Sequence, residues 1–135
     1  MLKKIISIAL ATIMLICFWG LNVSANDVMP CDLYTASASS SLTISGTKAT
    51  CISKATGYSG ETTKIVISQT LQKKSILGTW SKVSSWSETD SGYIGSATNT
   101  KSSLSSGTYR LKTVFTVYAG SDYETITKYS SEKTV

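Results

Sequence analysis

An all-β fold, built as a single antiparallel sandwich, is predicted by three features of this sequence. No segment beyond residue 26 sustains a helical period, the body is dense in Ser, Thr, Val, Ile and Tyr, and Gly-containing breaks recur at short intervals, with one proline in the whole chain at Pro30. Many short strands joined by tight turns have to bury one face each, and two sheets stacked face to face do so.

The elements follow in order. Residues 1–25 have the form of an export signal. Met1-Leu2-Lys3-Lys4 is a basic start, residues 5–20 form an apolar run broken by Ser7 and Thr12, and Val23-Ser24-Ala25 is a small-residue cleavage site. The mature chain is therefore expected to begin near Asn26 and to be secreted. Cys17 leaves with the signal, and Ile16 before it is not the small residue a lipoprotein signal carries. Residues 26–40 read as an N-terminal segment, partly irregular between Ala36 and Ser41. The sandwich domain is expected over 41–135, and a mature chain of about 110 residues suits one core.

Ser41 to Ser45 and Lys48 to Lys54 read as a hairpin about Gly46-Thr47. This register sets Ile44 opposite Ala49 and Leu42 opposite Cys51 on one buried face. Thr63 to Gln72 alternates next, with Ile65, Ile67 and Leu71 inward, Gln69 a polar interruption, and Val66, Ser68 and Thr70 outward. Residues 73–79 connect to Trp80 to Trp86. Both indoles share parity with Lys82 and Ser84, so either they form an exposed platform or a bulge turns one inward. Trp80 is assigned to the core more readily than Trp86. A weaker strand follows at Tyr93 to Thr100.

Gly107 to Tyr118 is the clearest strand, with Tyr109, Leu111, Phe115 and Val117 on its core side. A turn at residues 119–122 leads into Tyr123 to Ser130. The pairing sets Tyr118 against Tyr123, Thr116 against Thr125, Val114 against Thr127 and Lys112 against Tyr129 outside, with Ile126 opposite Phe115 inside. Tyr118, Tyr123 and Tyr129, beside Lys112 and Arg110, are thus the candidate ligand surface. Flat rings with hydrogen-bonding neighbours suit a glycan or a protein, and ordinary cross-strand packing is the plain alternative.

Composition excludes several classes of chemistry. The chain has no histidine, which removes histidine-based triads and histidine-ligated zinc, and no carboxylate sits in an apolar setting that would make it a general acid. No catalytic, cofactor or metal site is expected, and a non-enzymatic protein follows. A pocket gathering Glu124, Asp122 and Lys112 would reopen the question. The formal net charge of +5 loses Lys3 and Lys4 with the signal, leaving +3 spread along the chain, so no nucleic-acid partner is expected. No membrane contact is expected either once the signal is removed. Cys51 reads as a buried thiol beside Leu42 and Ile44; a disulfide between Cys31 and Cys51, the two cysteines of an exported chain, is the alternative.

Leu104-Ser105-Ser106-Gly107-Thr108-Tyr109 before an alternating strand is similar to the tyrosine corner of fibronectin type III and immunoglobulin-like sandwiches. By that resemblance, Cys51 and Leu111 occupy the places of the inter-sheet cysteines, and Leu111 precludes that bridge. Ala49-Thr50-Cys51, Thr70-Leu71-Gln72, Trp80 with Val83 and Trp86, residues 107–112, Tyr123-Glu124-Thr125 and Tyr129-Ser130 resemble a family of small secreted Gram-positive proteins of unknown function. The resemblance implies an exported immunoglobulin-like domain and assigns no site residue. A secreted binding or interaction module of the envelope or extracellular space is the expectation, with a self-associating matrix protein or a secreted toxin as alternatives.

Overall fold

The computed structural model describes residues 33–135. The expected signal at 1–25, the new terminus at Asn26, and Cys31 lie outside the described residues. Eight strands follow in order: β1 (Thr35–Ser45), β2 (Lys48–Gly57), β3 (Lys64–Lys74), β4 (Trp80–Ser91), β5 (Ile94–Lys101), β6 (Thr108–Ala119), β7 (Asp122–Tyr129) and β8 (Lys133–Thr134). They form two antiparallel sheets, ordered β1-β2-β5 and β4-β3-β6-β7, and β8 continues the edge beside β6. No helix occurs among the described residues, hence none long and apolar enough to cross a membrane.

Alternation writes this fold. Leu42, Ala49 and Cys51 of the smaller sheet meet Leu71, Tyr109 and Leu111 of the larger one in one apolar cluster. Ala55 and Ala97 meet Ile65, Ile67, Phe115 and Val117 in a second. The first hairpin has the expected register, Leu42 opposite Cys51 and Ile44 opposite Ala49. Gly46, at φ +59°, supplies the left-handed turn residue. The β6–β7 pairing is as read, although Ala119 pairs with Asp122, so the loop itself is only Gly120-Ser121. Ile44 and Ile126 are half-buried at the margins of the two clusters rather than inside them. The tyrosine corner is formed: the Tyr109 hydroxyl donates to the Ser105 carbonyl at 2.6 Å.

Between the clusters lies a polar layer that periodicity did not foretell. Gln69 is buried at 1% exposure; its amide nitrogen donates to Ser53 Oγ at 2.8 Å and approaches the Cys51 and Ala97 carbonyls at 3.3 Å. Asn99 Nδ2 donates back to Gln69 Oε1 at 2.8 Å. Ser53 and Thr113 hydroxyls bond at 2.7 Å, and Thr113 meets Ser40 at 2.8 Å. No buried side-chain polar atom among the described residues lacks a partner, which such a layer requires to be tolerated.

Two expectations need correction. Residues 36–41 are not irregular, because β1 begins at Thr35 and pairs with β2 along its length apart from one irregularity between Thr35 and Ser37. Small side chains let this half of the strand close over β6, where Ser40 reaches the Leu111 carbonyl and Thr113. The indole assignment is also reversed. The β3–β4 register breaks at Val83, with Leu71 opposite Ser84 but Gln72 opposite Lys82. That bulge inverts parity between the two indoles, so Trp86 packs against the first core cluster and Trp80 faces outward.

Candidate functional site

The outer face of the larger sheet carries the candidate surface. Lys64, Tyr118 and Tyr123 align across β3, β6 and β7; further along, Thr70, Lys112 and Tyr129 form a corresponding row. Between them lie Val66, Thr116 and Thr125, then Ser68, Val114 and Thr127. The result is a flat floor of short side chains between two aromatic ridges, which stand about 20 Å apart at 3.3 Å per residue.

Each ridge is stiffened by cations. The Tyr118 and Tyr123 rings lie 5.5 Å apart at 42°, and Lys64 Nζ sits 4.2 Å from the Tyr118 centroid. At the other ridge the Arg110 guanidinium lies between two rings, 4.2 Å from Trp80 and 4.3 Å from Tyr129. Its Nε donates to Gln72 Oε1 at 2.8 Å, fixing the plane. A guanidinium held by two π faces and a hydrogen bond is preorganised, and each cation–π contact contributes about 0.5–1 kcal/mol where solvent reaches it.

Of the five residues picked from the sequence, Tyr123 and Tyr129 are the open rings, at 62% and 50% exposure. Tyr118, Lys112 and Arg110 are half-buried and support them. Sequence reading assigned Trp80 to the core and so missed it as the fourth ring, because the bulge that frees it leaves no mark in periodicity, and it missed Lys64 against Tyr118.

The carboxylates take other roles. Glu124 accepts from the Leu33 and Tyr34 backbone N–H groups at 2.9 and 2.7 Å and from the Thr35 hydroxyl at 2.7 Å, clamping the start of the domain to β7. Asp90 accepts from the Ser96 N–H at 2.8 Å. Asp122 lies at the far end of the sheet, opposite Ala119, while Lys112 pairs with Tyr129, so Glu124, Asp122 and Lys112 are not gathered into one pocket. Cys51 is a free, fully buried thiol whose pKa burial pushes up to about 11, which makes it a poor nucleophile. Cys31, the other half of the candidate disulfide, lies outside the described residues. No cluster of His, Cys, Asp and Glu suited to a metal occurs among the described residues.

The sequence matches no protein-family model and no curated protein. Among solved structures, the chain is similar to wild-type OgpA from Akkermansia muciniphila, at 13% identity and a TM-score of 0.45 over 80% of this chain and 33% of that one. It is similar to catalytically inactive OgpA in complex with an O-glycopeptide, glycodrosocin, at 14% identity and a TM-score of 0.44 over 76% and 30%. The solution structure of R. palustris CsgH gives 13% identity and a TM-score of 0.38 over 69% and 86%. The chain thus spans about a third of the length of OgpA. Likenesses this distant carry no functional argument, and the site stands on its own geometry.

Proposed function

We propose that the protein is a secreted, non-enzymatic binding module with an immunoglobulin-like fold, and that it engages a glycan or protein through the outer face of its larger sheet. The carrying observation is the pair of open rings, Tyr123 and Tyr129, held by cation-stiffened ridges on either side of a flat hydroxyl-rich floor. Aromatic faces immobilised before binding lose little conformational freedom on contact, and hydroxyls between them supply directional bonds. Support for the immunoglobulin-like description comes from the strand orders β1-β2-β5 and β4-β3-β6-β7 and from the Tyr109 corner. The signal-like residues 1–25 support export, and the resemblance to small secreted Gram-positive proteins agrees with it.

Self-assembly through strand edges is the weaker reading. On β7 the core-side parity holds Glu124 and Lys128, opposite Val117 and Thr113, and an inward charge on an edge strand discourages pairing with another chain. On β4 the bulge at Val83 interrupts the edge. The test is a glycan-array and pull-down screen with the chain beginning at Asn26, followed by Tyr123→Ala and Tyr129→Ala. Each is expected to weaken binding by about 2 kcal/mol or more while circular dichroism stays native. Undiminished binding by both folded variants refutes the ledge.

A further inference from the structure

A second surface lies at one end of the sandwich, apart from the ledge floor. The β3–β4 connection raises Ile76 and Leu77 at 106% and 91% exposure, the two most exposed large apolar side chains among the described residues. The tip is rigid. Ser75 N–H donates to the Thr79 carbonyl at 2.7 Å, Gly78 N–H to the Ser75 carbonyl at 3.0 Å, and the Ser75 and Thr79 hydroxyls bond at 2.7 Å. Gly78 takes φ +84°, which closes the turn and leaves the two aliphatic residues at its apex. Burial inside this molecule explains neither side chain. A groove at the base of the tip runs between Lys73 and Lys74 on one side and Ser106 to Thr108 on the other.

Charge is distributed unevenly about that tip. Lys73 and Lys74 lead into it, Lys82 follows it opposite Gln72, and Lys133 pairs beside Tyr109 at the same end. The one acid close by, Glu132, lies 3.6 Å from Lys74. The other acids of the described residues lie toward the opposite end: Glu61 beyond β2, Glu88 and Asp90 opposite Ile67 and Ile65, Asp122 at the start of β7, and Glu124 where it holds the start of the domain. Trp80 sits at the base of the tip, paired with Lys74.

From this juxtaposition we infer that the Ile76–Leu77 hairpin docks the domain onto an anionic phospholipid bilayer. The apolar apex enters the acyl boundary, Trp80 lies at headgroup depth, and Lys74, Lys82 and Lys133 face the negatively charged surface. An anionic polymer would use the cations but leave the aliphatic pair in water; a bilayer satisfies both, and an indole at the interface completes the pattern. Such peripheral docking departs from the expectation that the mature chain makes no membrane contact.

The test is co-sedimentation with vesicles made equally of phosphatidylcholine and phosphatidylglycerol, with pure phosphatidylcholine vesicles alongside. The chain used begins at Asn26, which removes the apolar run at 5–20. It retains all eight strands, both core clusters and every partner described above for the buried polar layer. Native circular dichroism of each protein is confirmed first. Wild type is expected to bind the anionic vesicles, to weaken with added salt, to bind phosphatidylcholine poorly, and to show a blue shift of tryptophan emission, Trp86 being packed against the core already. An Ile76→Asp/Leu77→Asp variant should bind at least about tenfold more weakly, since each lost side chain removes several buried carbons. Lys74→Ser and Lys82→Ser should each weaken binding about fivefold. Absence of binding by wild type, equal binding to both vesicle types, or undiminished binding by the folded double-Asp variant overturns the inference. Tyr123→Ala, remote from the tip, should leave vesicle binding unchanged, so the ledge and the tip fail or stand separately.

Discussion

Gln69→Glu is the most searching perturbation of the fold, because it keeps the shape of the side chain and changes only its hydrogen-bond character. The native amide nitrogen donates to Ser53 and faces the Cys51 and Ala97 carbonyl oxygens, while its oxygen accepts from Asn99. An ionised carboxylate in its place points acceptors at acceptors inside the sandwich. Its folded pKa must rise above the free value of about 4.3, so the variant keeps its stability in acid and loses it as pH rises through the folded value. Gln69→Leu sets the scale. Two bonds at 2.8 Å are lost, at about 1 kcal/mol each, and the Asn99 amide loses its partner, at about 1–3 kcal/mol, giving a loss of roughly 3–5 kcal/mol. Urea unfolding followed by tryptophan emission, with Trp86 packed against the core as reporter, measures both variants against wild type at pH 4 and pH 7. Gln69→Glu should exceed the Leu variant's loss at pH 7 and recover part of it at pH 4. A Glu variant no less stable at pH 7 than at pH 4, relative to wild type, refutes the buried polar layer.

Two further outcomes are expected. Phe115→Ala, at the centre of the second core cluster, should cost about 3–5 kcal/mol, and an unchanged thermal midpoint would refute its place there. Because burial raises the Cys51 thiol from 9.0 to about 11, its contribution is intact below pH 9 and is lost as pH rises to 11, up to about 3 kcal/mol. Cys51→Ala should lack that alkaline loss in pH-dependent unfolding; an identical alkaline profile in the two proteins would count against the shift.

Much of the larger sheet was legible because its strands alternate large apolar with polar residues, so that Phe115, Ile126 and the three tyrosines had only one consistent arrangement. The first hairpin was legible for the same reason, with Gly46 marking its turn. Legibility stopped where side chains are small or parity breaks. The Ala-Ser stretch before Ser41 has no bulky residue to reveal a face, although Ser40 and Thr35 both make specific contacts there. At Val83 one extra residue put the two indoles on opposite faces, which gave the ledge Trp80 and the core Trp86. Gln69 was recognised as polar, but its partners lie on two other strands, β2 and β5, and long-range bonds leave no local trace. Ile76-Leu77 read as a connection; its signal was two aliphatics at the centre of a turn closed by Gly78, where neither can point inward.

The clamp formed by Glu124 has a mechanical consequence. Residue 33 is held at the end of the sandwich where β7 begins, whereas Val135 exchanges backbone bonds with Gly107 at the other. Tension applied between these two points runs along the strands, so the β1–β2 ladder is loaded in shear, with its hydrogen bonds sharing the force together. A hairpin pulled across its strands would open one bond at a time. Under load, the two-residue pairing of β8 with β6 would therefore release first, and the longer β1–β2 ladder would yield later and abruptly.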